Sequence, residues 1–409
     1  MKHVLDGTRV LDFSEFASGP SCTRLLAEIG AEVIKVELAP LGDGAHQMPY
    51  RVNGRSGYYV QQNRGKKSVC LDPKDPRAKA ALEELVRNSD VMVENFPVGE
   101  IARKGFGWDR VHALNPKLVM CSLSTFGQNG PLADLPGGNE VAGAYSGATA
   151  LTGTEAGTPV LPQAAFGDVG AGISAAGAIG FALLHAERTG LGQHLDIALV
   201  DVFYEAQSLS AQVLTLGGGK YMPRACGSHH TIGAPLGFFR GREMAITIMV
   251  VDRRWPEFCR VLGREDLIDQ ARFAGMAERS EHRDELVEIT ETWIQAQASD
   301  QDALRQLQDA RITCAPVLTV AEAAALPHLV ERGVVQKVTD RALGEFTIPG
   351  VSYNFPKFPR LELQAPFLGE HNTQVLTELA GLTPEQVAQM EADGTLVSEP
   401  VPDGPAVAE

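Results

Sequence analysis

The sequence predicts an α/β protein built on a parallel β-sheet, because strand-like and helix-like segments alternate along its N-terminal half. Residues 9–13 are a strand candidate, and residues 31–36 are a second one. Between them, residues 21–29 carry apolar side chains at helical spacing. A helix that connects two such strands is the crossover that parallel pairing requires. Gly19 and Pro20 precede this helix, as expected where a loop enters a helix N-terminus.

The alternation continues beyond this first unit. Residues 90–93, 118–123 and 194–200 have strand patterns. Residues 78–87 and 108–114, which precede the first two of these strands, have helical patterns. We therefore predict a Rossmann-like large domain in which helices connect the strands of a parallel sheet.

Two segments are distinguished by composition. The apolar stretch 169–184 is interrupted by four glycines, which indicates a tightly packed buried helix. Residues 127–162 are rich in Gly, Ala and Thr. Such a loop-laden stretch suits a binding site better than a core.

The character of the sequence changes after about residue 225. A strand candidate at residues 244–250, a helix at 255–262 and a charged helical run at 280–310 indicate a separate small α+β domain. The acidic, Pro-rich C-terminal tail is predicted to be disordered. The predicted bounds are 1–215 for the first part of the large domain, 216–328 for the small domain with its linkers, and 329–409 for the return to the large domain, with the disordered tail after residue 397.

Composition narrows the possible classes of function. The net charge of −15 argues against nonspecific nucleic-acid binding, which needs clustered Lys and Arg to neutralise phosphates. We expect no membrane span and no secretory signal, and therefore a cytoplasmic protein. The six cysteines form no C-x-x-C pair, so neither disulfides nor a metal site is expected.

Basic residues cluster at 64–67 and 103–104, where they are either phosphate contacts or solvated surface charges.

A βαβ start suggests a dinucleotide-binding enzyme, but the first loop argues against that hypothesis. It contains only Gly19 where the fingerprint has G-x-G-x-x-G, so the close backbone approach to a pyrophosphate is missing. The sequence also contains no P-loop, no G-x-S-x-G and no H-E-x-x-H. The commonest nucleotidase and hydrolase classes are therefore excluded as functions of this sequence.

One carboxylate, Asp168, lies at the start of the long apolar helix, within the G-D-V-G segment at residues 167–170. One interpretation is an N-cap that accepts hydrogen bonds from the first free amides of the helix. The other is a functional carboxylate, since the positive end of the helix dipole favours its ionised form and backbone donors nearby can stabilise an oxyanion. Both interpretations can hold for Asp168.

The sequence resembles the class III CoA-transferases from about residue 5 to about residue 395. The resemblance rests on several short motifs that occur in the family's order. They are Gly19-Pro20, residues 26–37, residues 63–68 with Leu71-Asp72, residues 93–96, residues 122–131, Gly167-Asp168, residues 188–193 and residues 368–371.

This resemblance implies that Asp168 is a nucleophile that attacks the thioester carbonyl of an acyl-CoA. It would carry an aspartyl anhydride and then an aspartyl-CoA thioester, and CoA would pass to a free carboxylic acid. An ordinary carboxylate pKa of about 4 would leave Asp168 ionised without a base. Glu140 would be a second carboxylate near Asp168, with a loop carboxylate in water as the alternative. The donor acid could be succinate, and no cofactor is expected besides the CoA thioester itself, which is the substrate.

The resemblance also implies contacts to CoA, a mobile loop and an assembly. Residues 225–235 take the place of a loop that closes over the site in relatives, with Gly227 and His230 as substrate-loop residues. Leu38 stands where many relatives have an arginine, so one phosphate contact would be lost or moved. The assembly would be the family's interlocked homodimer or a heteromer with a homologous subunit. The implied CoA-binding residues are Phe16, Ala17, Lys66, Lys67, Leu71, Asn95, Phe96 and Arg103.

Two alternatives come from the same family. α-Methylacyl-CoA racemases shift a proton with a histidine that lies in a G-H-D loop. Here the corresponding residues are Gly137, Gly138 and Asn139, so no imidazole is available to take the proton. The other alternative is a heteromer in which one chain lacks the nucleophile. Because this chain keeps Asp168, it would be the active subunit.

Overall fold

The computed structural model describes residues 3–219 and 222–402, and the chain divides into two compact units. The first unit comprises Met1–Ala148, Pro162–Ala211 and Glu331–Glu409, and the second comprises Thr149–Leu161 and Gln212–Val330. Residues 403–409 of the tail for which disorder is predicted lie outside the described residues. Within the described part of that tail, the Glu399 N–H donates to the Leu368 carbonyl at 3.0 Å.

The strands and helices alternate through most of the first unit. The strands are β1 Arg9–Asp12, β2 Glu32–Leu38, β3 Arg51–Val52, β4 Arg55–Ser56, β5 Lys66–Leu71, β6 Val91–Glu94, β7 Val119–Ser124, β8 His194–Ala198, β9 Leu236–Arg240, β10 Ala245–Met249, β11 Thr313–Pro316, β12 Val335–Asp340 and β13 Gly344–Pro349. The α-helices are α1 Ser18–Glu28, α2 Gly57–Asn63, α3 Pro76–Arg87, α4 Glu100–Arg103, α5 Trp108–Leu114, α6 Asn139–Tyr145, α7 Phe166–Thr189, α8 Leu199–Glu205, α9 Leu209–Leu216, α10 Trp255–Val261, α11 Met276–Glu281, α12 Arg283–Ala296, α13 Asp300–Asp309, α14 Val320–Ala325, α15 Pro327–Glu331, α16 Asn372–Leu379 and α17 Pro384–Ala392.

The first unit is built on a six-stranded sheet with the order β5-β2-β1-β6-β7-β8. Every neighbouring pair in it is parallel. The predicted α/β class and the parallel sheet are thus confirmed. The strand order reverses between β1 and β6, because β2 and β5 lie on one side of β1 and the later strands on the other. In open α/β sheets, such a switch point leaves a ligand-binding crevice at the carboxyl ends of the strands.

Helices cover both faces of this sheet, because successive side chains of a strand point to opposite faces. In β1, Leu11 packs into a cluster with Leu82 of α3 and with residues of α16 and α17. The preceding residue, Val10, joins a second cluster with Leu25 of α1 and Ile179 of α7. Helices α1 and α7 therefore share one face of the sheet, and this fixes the position of both helix N-termini.

The differences from the sequence prediction include one strand and two helical regions. Strand β5 was not predicted, because Lys66 and Ser68 interrupt its apolar pattern, yet both are buried there. Helix α6 lies within the segment 127–162, which was predicted as a loop-laden stretch. The charged run at 280–310 is not one helix, since it is divided between α11, α12 and α13.

Helix α7 is long and apolar enough to cross a membrane by length and composition alone. At Gly172, however, it packs closely against α1. A Cβ atom added to Gly172 would lie 2.9 Å from the Ser18 carbonyl oxygen and 3.0 Å from the Cys22 nitrogen. One face of α7 is therefore built into the core of the first unit.

We expect Gly172→Ala to lower the free energy of unfolding by about 1–3 kcal/mol, because the added methyl group must displace backbone of α1. Gly177→Ala is the matched control in the same helix, since a Cβ atom there meets nothing within 4 Å. That control should be neutral or stabilise by up to about 1 kcal/mol through helix propensity. Urea unfolding of both variants checks this, and equal midpoints would contradict the close approach of α1 and α7.

The second unit contains an antiparallel three-stranded sheet with the order β11-β10-β9. The strand predicted at residues 244–250 is β10. Its inward-facing Ile246 and Ile248 pack with Trp255 and Phe258 of α10. The buried guanidinium of Arg279 donates to the Ala234 carbonyl at 2.7 Å, so this polar group is satisfied within the core.

Candidate active site

A cavity of about 670 Å³ lies in the first unit, at the carboxyl ends of β1, β6 and β7. This is the switch point of the sheet, where the topology favours ligand binding. The loop after β1, the turn after β6 and the segments that follow β7 form its walls. The lining residues include Glu15, Phe16, Ala17, Ser18, Asn95, Phe96, Arg103, Gly138 and Asp168.

Asp168 brings a half-buried carboxylate to this cavity from the first turn of α7. Burial, together with the charge of Glu140, raises the pKa of Asp168 to about 6. The ordinary pKa expected from the sequence is therefore wrong, because burial outweighs the favourable field of the helix N-terminus. The carboxylate is still mostly ionised at neutral pH.

The interpretation of Asp168 as an N-cap is also wrong. The capping position of α7 is Ala165, and Asp168 lies in the first turn of the helix. No hydrogen bond to its carboxylate is present among the residues that the structure describes. The role of Asp168 as the nucleophile stays a prediction.

The amides that begin α7 are instead capped by Asn139, a residue to which the sequence analysis gave no role in this site. Its Oδ1 accepts from the Gly167 N–H at 2.9 Å and from the Asp168 N–H at 3.3 Å. Its Nδ2 donates to Glu140 Oε1 at 3.2 Å. Asn139 is buried, and it therefore fixes the backbone that carries Asp168 while it orients Glu140.

Asn95 fastens the loop after β1 to the turn after β6. Its Oδ1 accepts from the Glu15 N–H and its Nδ2 donates to the Glu15 carbonyl, both at 2.8 Å. The Asn95 amide is thus used within the protein. Its neighbour Phe96 donates its N–H to the Glu94 carboxylate at 2.9 Å, and burial raises the pKa of Glu94 to about 7.

Tyr58 is a second residue near Asp168 that sequence reasoning missed. Burial raises the pKa of its phenol, and the charge of Asp168 adds to that rise. The two groups are therefore close enough to interact electrostatically. Tyr58 lies in α2, outside every motif used to locate the site, so no local signal identified it.

Comparison with known protein families identifies the family of the chain. A model of CoA-transferase family III matches residues 5–372 of the chain. The chain belongs to CoA-transferase family III. It is an enzyme that transfers CoA, and the resemblance found in its motifs is confirmed.

Relatives of this CoA-transferase match it over nearly their whole length. Formyl-CoA:oxalate CoA-transferase of Rhodopseudomonas palustris (strain BisA53) is 32% identical, with 97% of this chain and 98% of the relative covered. Succinate–glutarate CoA-transferase of Agrobacterium fabrum (strain C58) is 34% identical, with 92% and 96% covered. Among solved structures, a CAIB/BAIF family protein from Brucella suis has a TM-score of 0.80 at 29% identity, with 93% of this chain and 100% of the other covered.

The CoA-transferase brings only some of the predicted CoA-binding residues to the cavity. Those that line it with Asp168 are Phe16, Ala17, Asn95, Phe96 and Arg103. The other three have different surroundings. Lys66 is buried, with its Nζ 2.8 Å from Asp12 Oδ2, and Lys67 pairs with Glu32 at 2.7 Å. Leu71 is fully buried in the hydrophobic core of the sheet. We therefore leave these three residues out of the CoA site proposed below.

The remaining predicted residues lie outside this lining. Glu140 is exposed, and it influences Asp168 through its charge. Gly227 and His230 belong to the second unit, and their roles as substrate-loop residues stay predictions. The part of the cavity lining that the structure describes contains no histidine.

Proposed function

We propose that this enzyme moves CoA from an acyl-CoA donor to a free carboxylic acid through covalent intermediates on Asp168. One observation carries the proposal. The Asp168 carboxylate is half-buried, has no hydrogen-bond donor among the described residues, and opens into the cavity at the switch point of the sheet. Asp168 is a carboxylate, as is the donor acid, so an acyl group can pass reversibly between the two.

The proposed reaction proceeds in four transfers without redox chemistry. The Asp168 carboxylate attacks the thioester carbonyl, which forms a mixed anhydride and releases the CoA thiolate. The thiolate then attacks the Asp168 carbonyl of that anhydride, which forms an aspartyl-CoA thioester and releases the donor acid. The acceptor carboxylate attacks the carbonyl of this thioester, which forms a second mixed anhydride with Asp168 and again releases the thiolate. Finally the thiolate attacks the acceptor's carbonyl, giving the new acyl-CoA and the free Asp168 carboxylate.

The start of α1 offers support for the charged intermediates. Helix α1 begins at Ser18 without a side-chain cap, and Ala17 and Ser18 both line the cavity. Uncapped amides at a helix N-terminus stabilise negative charge. We propose these amides as one source of oxyanion stabilisation for the tetrahedral states.

For the substrates, we propose a small carboxylic acid and its CoA thioester. The relatives are named for formyl-CoA with oxalate and for succinyl-CoA or succinate with glutarate. Succinyl-CoA is the first donor to test, with formyl-CoA second. Within the cavity, Phe16, Ala17, Phe96 and Arg103 are the proposed contacts to CoA, and Asn95 supports them by holding the loop after β1.

Trapping the covalent intermediate tests this function. The enzyme is incubated with succinyl-CoA but without an acceptor acid and is then treated with borohydride, which reduces an aspartyl thioester to an alcohol. We expect activity to be lost and the mass change to be confined to the peptide that contains Asp168. Hydroxylamine should convert the same residue to a hydroxamate. Peptide mass spectrometry reads both outcomes.

Other outcomes of this experiment would exclude the mechanism. Acyl-CoA hydrolysis without a trapped adduct would indicate a thioesterase. Exchange of the α-proton in deuterated water without movement of CoA would indicate a racemase. A parallel incubation uses formyl-CoA, and either donor should modify the same residue. An adduct with formyl-CoA alone would mean that the donor was wrong and the mechanism right.

We also propose that the enzyme is a homodimer. On α7, whose other face lies in the core, Phe181 is 78% exposed and Leu184 is 43% exposed. Large apolar side chains exposed on one helix mark an interaction surface. Light scattering after gel filtration should give twice the chain mass of 43.8 kDa. A stable, active monomer would contradict this proposal, and activity that requires a second, homologous chain would indicate the heteromer.

A further inference from the structure

The loop after β1 is fixed by buried side chains rather than by regular secondary structure. Asp12 accepts from the Ser14 N–H at 3.0 Å, and Lys35 Nζ donates to the Ser14 carbonyl at 2.6 Å. Asn95 holds both backbone groups of Glu15, as described above. The sheet thus positions the loop through side chains from three different strands or strand ends.

Asp43 extends this arrangement to the next residue of the loop. Its Oδ1 accepts from the Phe16 N–H at 3.0 Å and from the Ala45 N–H at 2.8 Å. Its Oδ2 lies 2.8 Å from Lys35 Nζ, and both side chains are almost fully buried. A carboxylate that is paired with a buried ammonium group keeps a defined position, because neither charge can be solvated elsewhere.

Phe16 is held by this carboxylate in an unusual conformation. Its φ of 61° is in the left-handed region, which a bulky residue rarely adopts. Phe16 is 47% exposed and lines the cavity together with Asp168. The ring lies directly over Gly44, where an added Cβ atom would be 2.2 Å from the ring atom Cζ. Only a residue without a side chain at position 44 allows the ring to lie there.

We propose that Asp43 and Gly44 are positioning residues for the acyl-CoA substrate, because together they form a seat that holds the Phe16 ring against the cavity. This inference rests on the proposed function, in which the cavity binds CoA. Asp43 fixes the Phe16 backbone, and Gly44 leaves room for its ring. A preformed aromatic contact strengthens binding because the side chain is ordered before the ligand arrives.

Gly44→Ala is the direct test, because it displaces the Phe16 ring without removing a hydrogen bond. Gly44 has no φ in the left-handed region, so alanine fits its backbone, and the exposed ring can swing into solvent. We expect the KM for the acyl-CoA donor to rise about tenfold, as for loss of an aromatic contact. The kcat and the KM for the acceptor acid should change less than about twofold, since the seat acts on CoA binding alone.

A double-mutant cycle with Phe16→Ala shows whether Gly44→Ala acts by displacing the Phe16 ring or by disturbing the loop in general. If Gly44 acts through the ring, Gly44→Ala should have no further effect once Phe16→Ala has removed that ring. Leu41→Ala is the control in the same connection, because Leu41 is 72% exposed and should leave the KM unchanged. Circular dichroism and a thermal melt verify that each variant is folded.

Two results would overturn the inference. One is an unchanged donor KM in Gly44→Ala. The other is an effect of Gly44→Ala that persists in full when Phe16 is already alanine. Asp43→Asn provides an independent check, since loss of the ion pair with Lys35 should also raise the donor KM. Borohydride trapping on Asp168 in the wild type remains a separate readout, so failure of the seat is distinguishable from failure of the covalent mechanism.

Discussion

Replacing Asp168 by Asn or Ala should abolish CoA exchange while the protein stays folded and still binds CoA. The Asn variant keeps the size of the side chain but has no carboxylate to attack the thioester. We expect the exchange rate to fall at least about a thousandfold, as is typical when a covalent nucleophile is removed. Exchange of labelled succinate into succinyl-CoA measures this loss, and calorimetric titration measures CoA binding.

A control variant tests whether the loss of exchange comes from the nucleophile or from any change of a carboxylate at a helix start. Asp201 also lies in the first turn of a helix of the first unit, in α8, and it is exposed. Asp201→Asn should therefore keep wild-type exchange. If Asp168→Asn retained more than a few per cent of the wild-type rate, the covalent mechanism would be wrong even though the chain transfers CoA.

The pH dependence of exchange should identify the same residue. Because the pKa of Asp168 is about 6, the fraction of ionised nucleophile falls as the pH is lowered through that value. The rate should decline on the acid side with an apparent pKa near 6. Glu140→Gln removes the neighbouring charge that raises this pKa, so the decline should move to lower pH. A decline at the same pH in both proteins would show that another group controls it.

Much of the fold was predictable from the sequence, because strand-like and helix-like segments alternate along its N-terminal half. The predicted strands at 9–13, 31–36 and 90–93 correspond to β1, β2 and β6 with ends shifted by a few residues. Strand β5 was missed for a physical reason. Lys66 and Ser68 are polar in sequence but buried in the structure, where Asp12 and Glu37 satisfy them. Such partners lie far away in the chain, so a local pattern cannot reveal them.

The same limit applies to the site. The place of Asp168 at the start of α7 could be predicted, because the G-D-V-G segment begins a long apolar run. The raised pKa of Asp168 could not be predicted, because the burial of this residue and its proximity to Glu140 depend on the tertiary structure. Asn139 caps a helix that begins well after it in the sequence, so its spacing carries no local signal. The basic cluster at 64–67 was interpreted as phosphate contacts or solvated charges, whereas the Lys66 ammonium group is buried and bound to Asp12.

That buried pair leads to the largest effect on stability that we expect. Asp12 Oδ2 accepts from Lys66 Nζ and from the Thr23 hydroxyl, each at 2.8 Å, and neither charged side chain is exposed. Burial alone would raise the pKa of Asp12, but the ammonium groups of Lys66 and Lys35 outweigh it and lower the pKa to about 2. The ionised form is therefore strongly favoured in the fold.

Asp12→Ala should lower the free energy of unfolding by about 3–5 kcal/mol, because it leaves a buried ammonium group without its counter-ion. The control is Glu345→Ala, which removes a carboxylate from the exposed pair with Lys337. That change should cost less than about 1 kcal/mol, as for other surface ion pairs. Urea unfolding at neutral pH measures both variants, and similar losses in the two would contradict the assigned role of the buried pair.

The stabilisation that Asp12 provides should change with pH in a defined direction. A carboxyl group whose pKa is lower in the folded than in the unfolded state stabilises the fold above its unfolded pKa of about 4. For Asp12 this stabilisation is lost as the pH falls from about 4 towards the folded value of about 2. The wild type should thus lose stability steeply in that interval, whereas Asp12→Ala should start lower and depend less on pH there. Parallel unfolding curves of wild type and variant across this range would show that Asp12 is not the titrating group, because its removal would then leave the acid sensitivity unchanged.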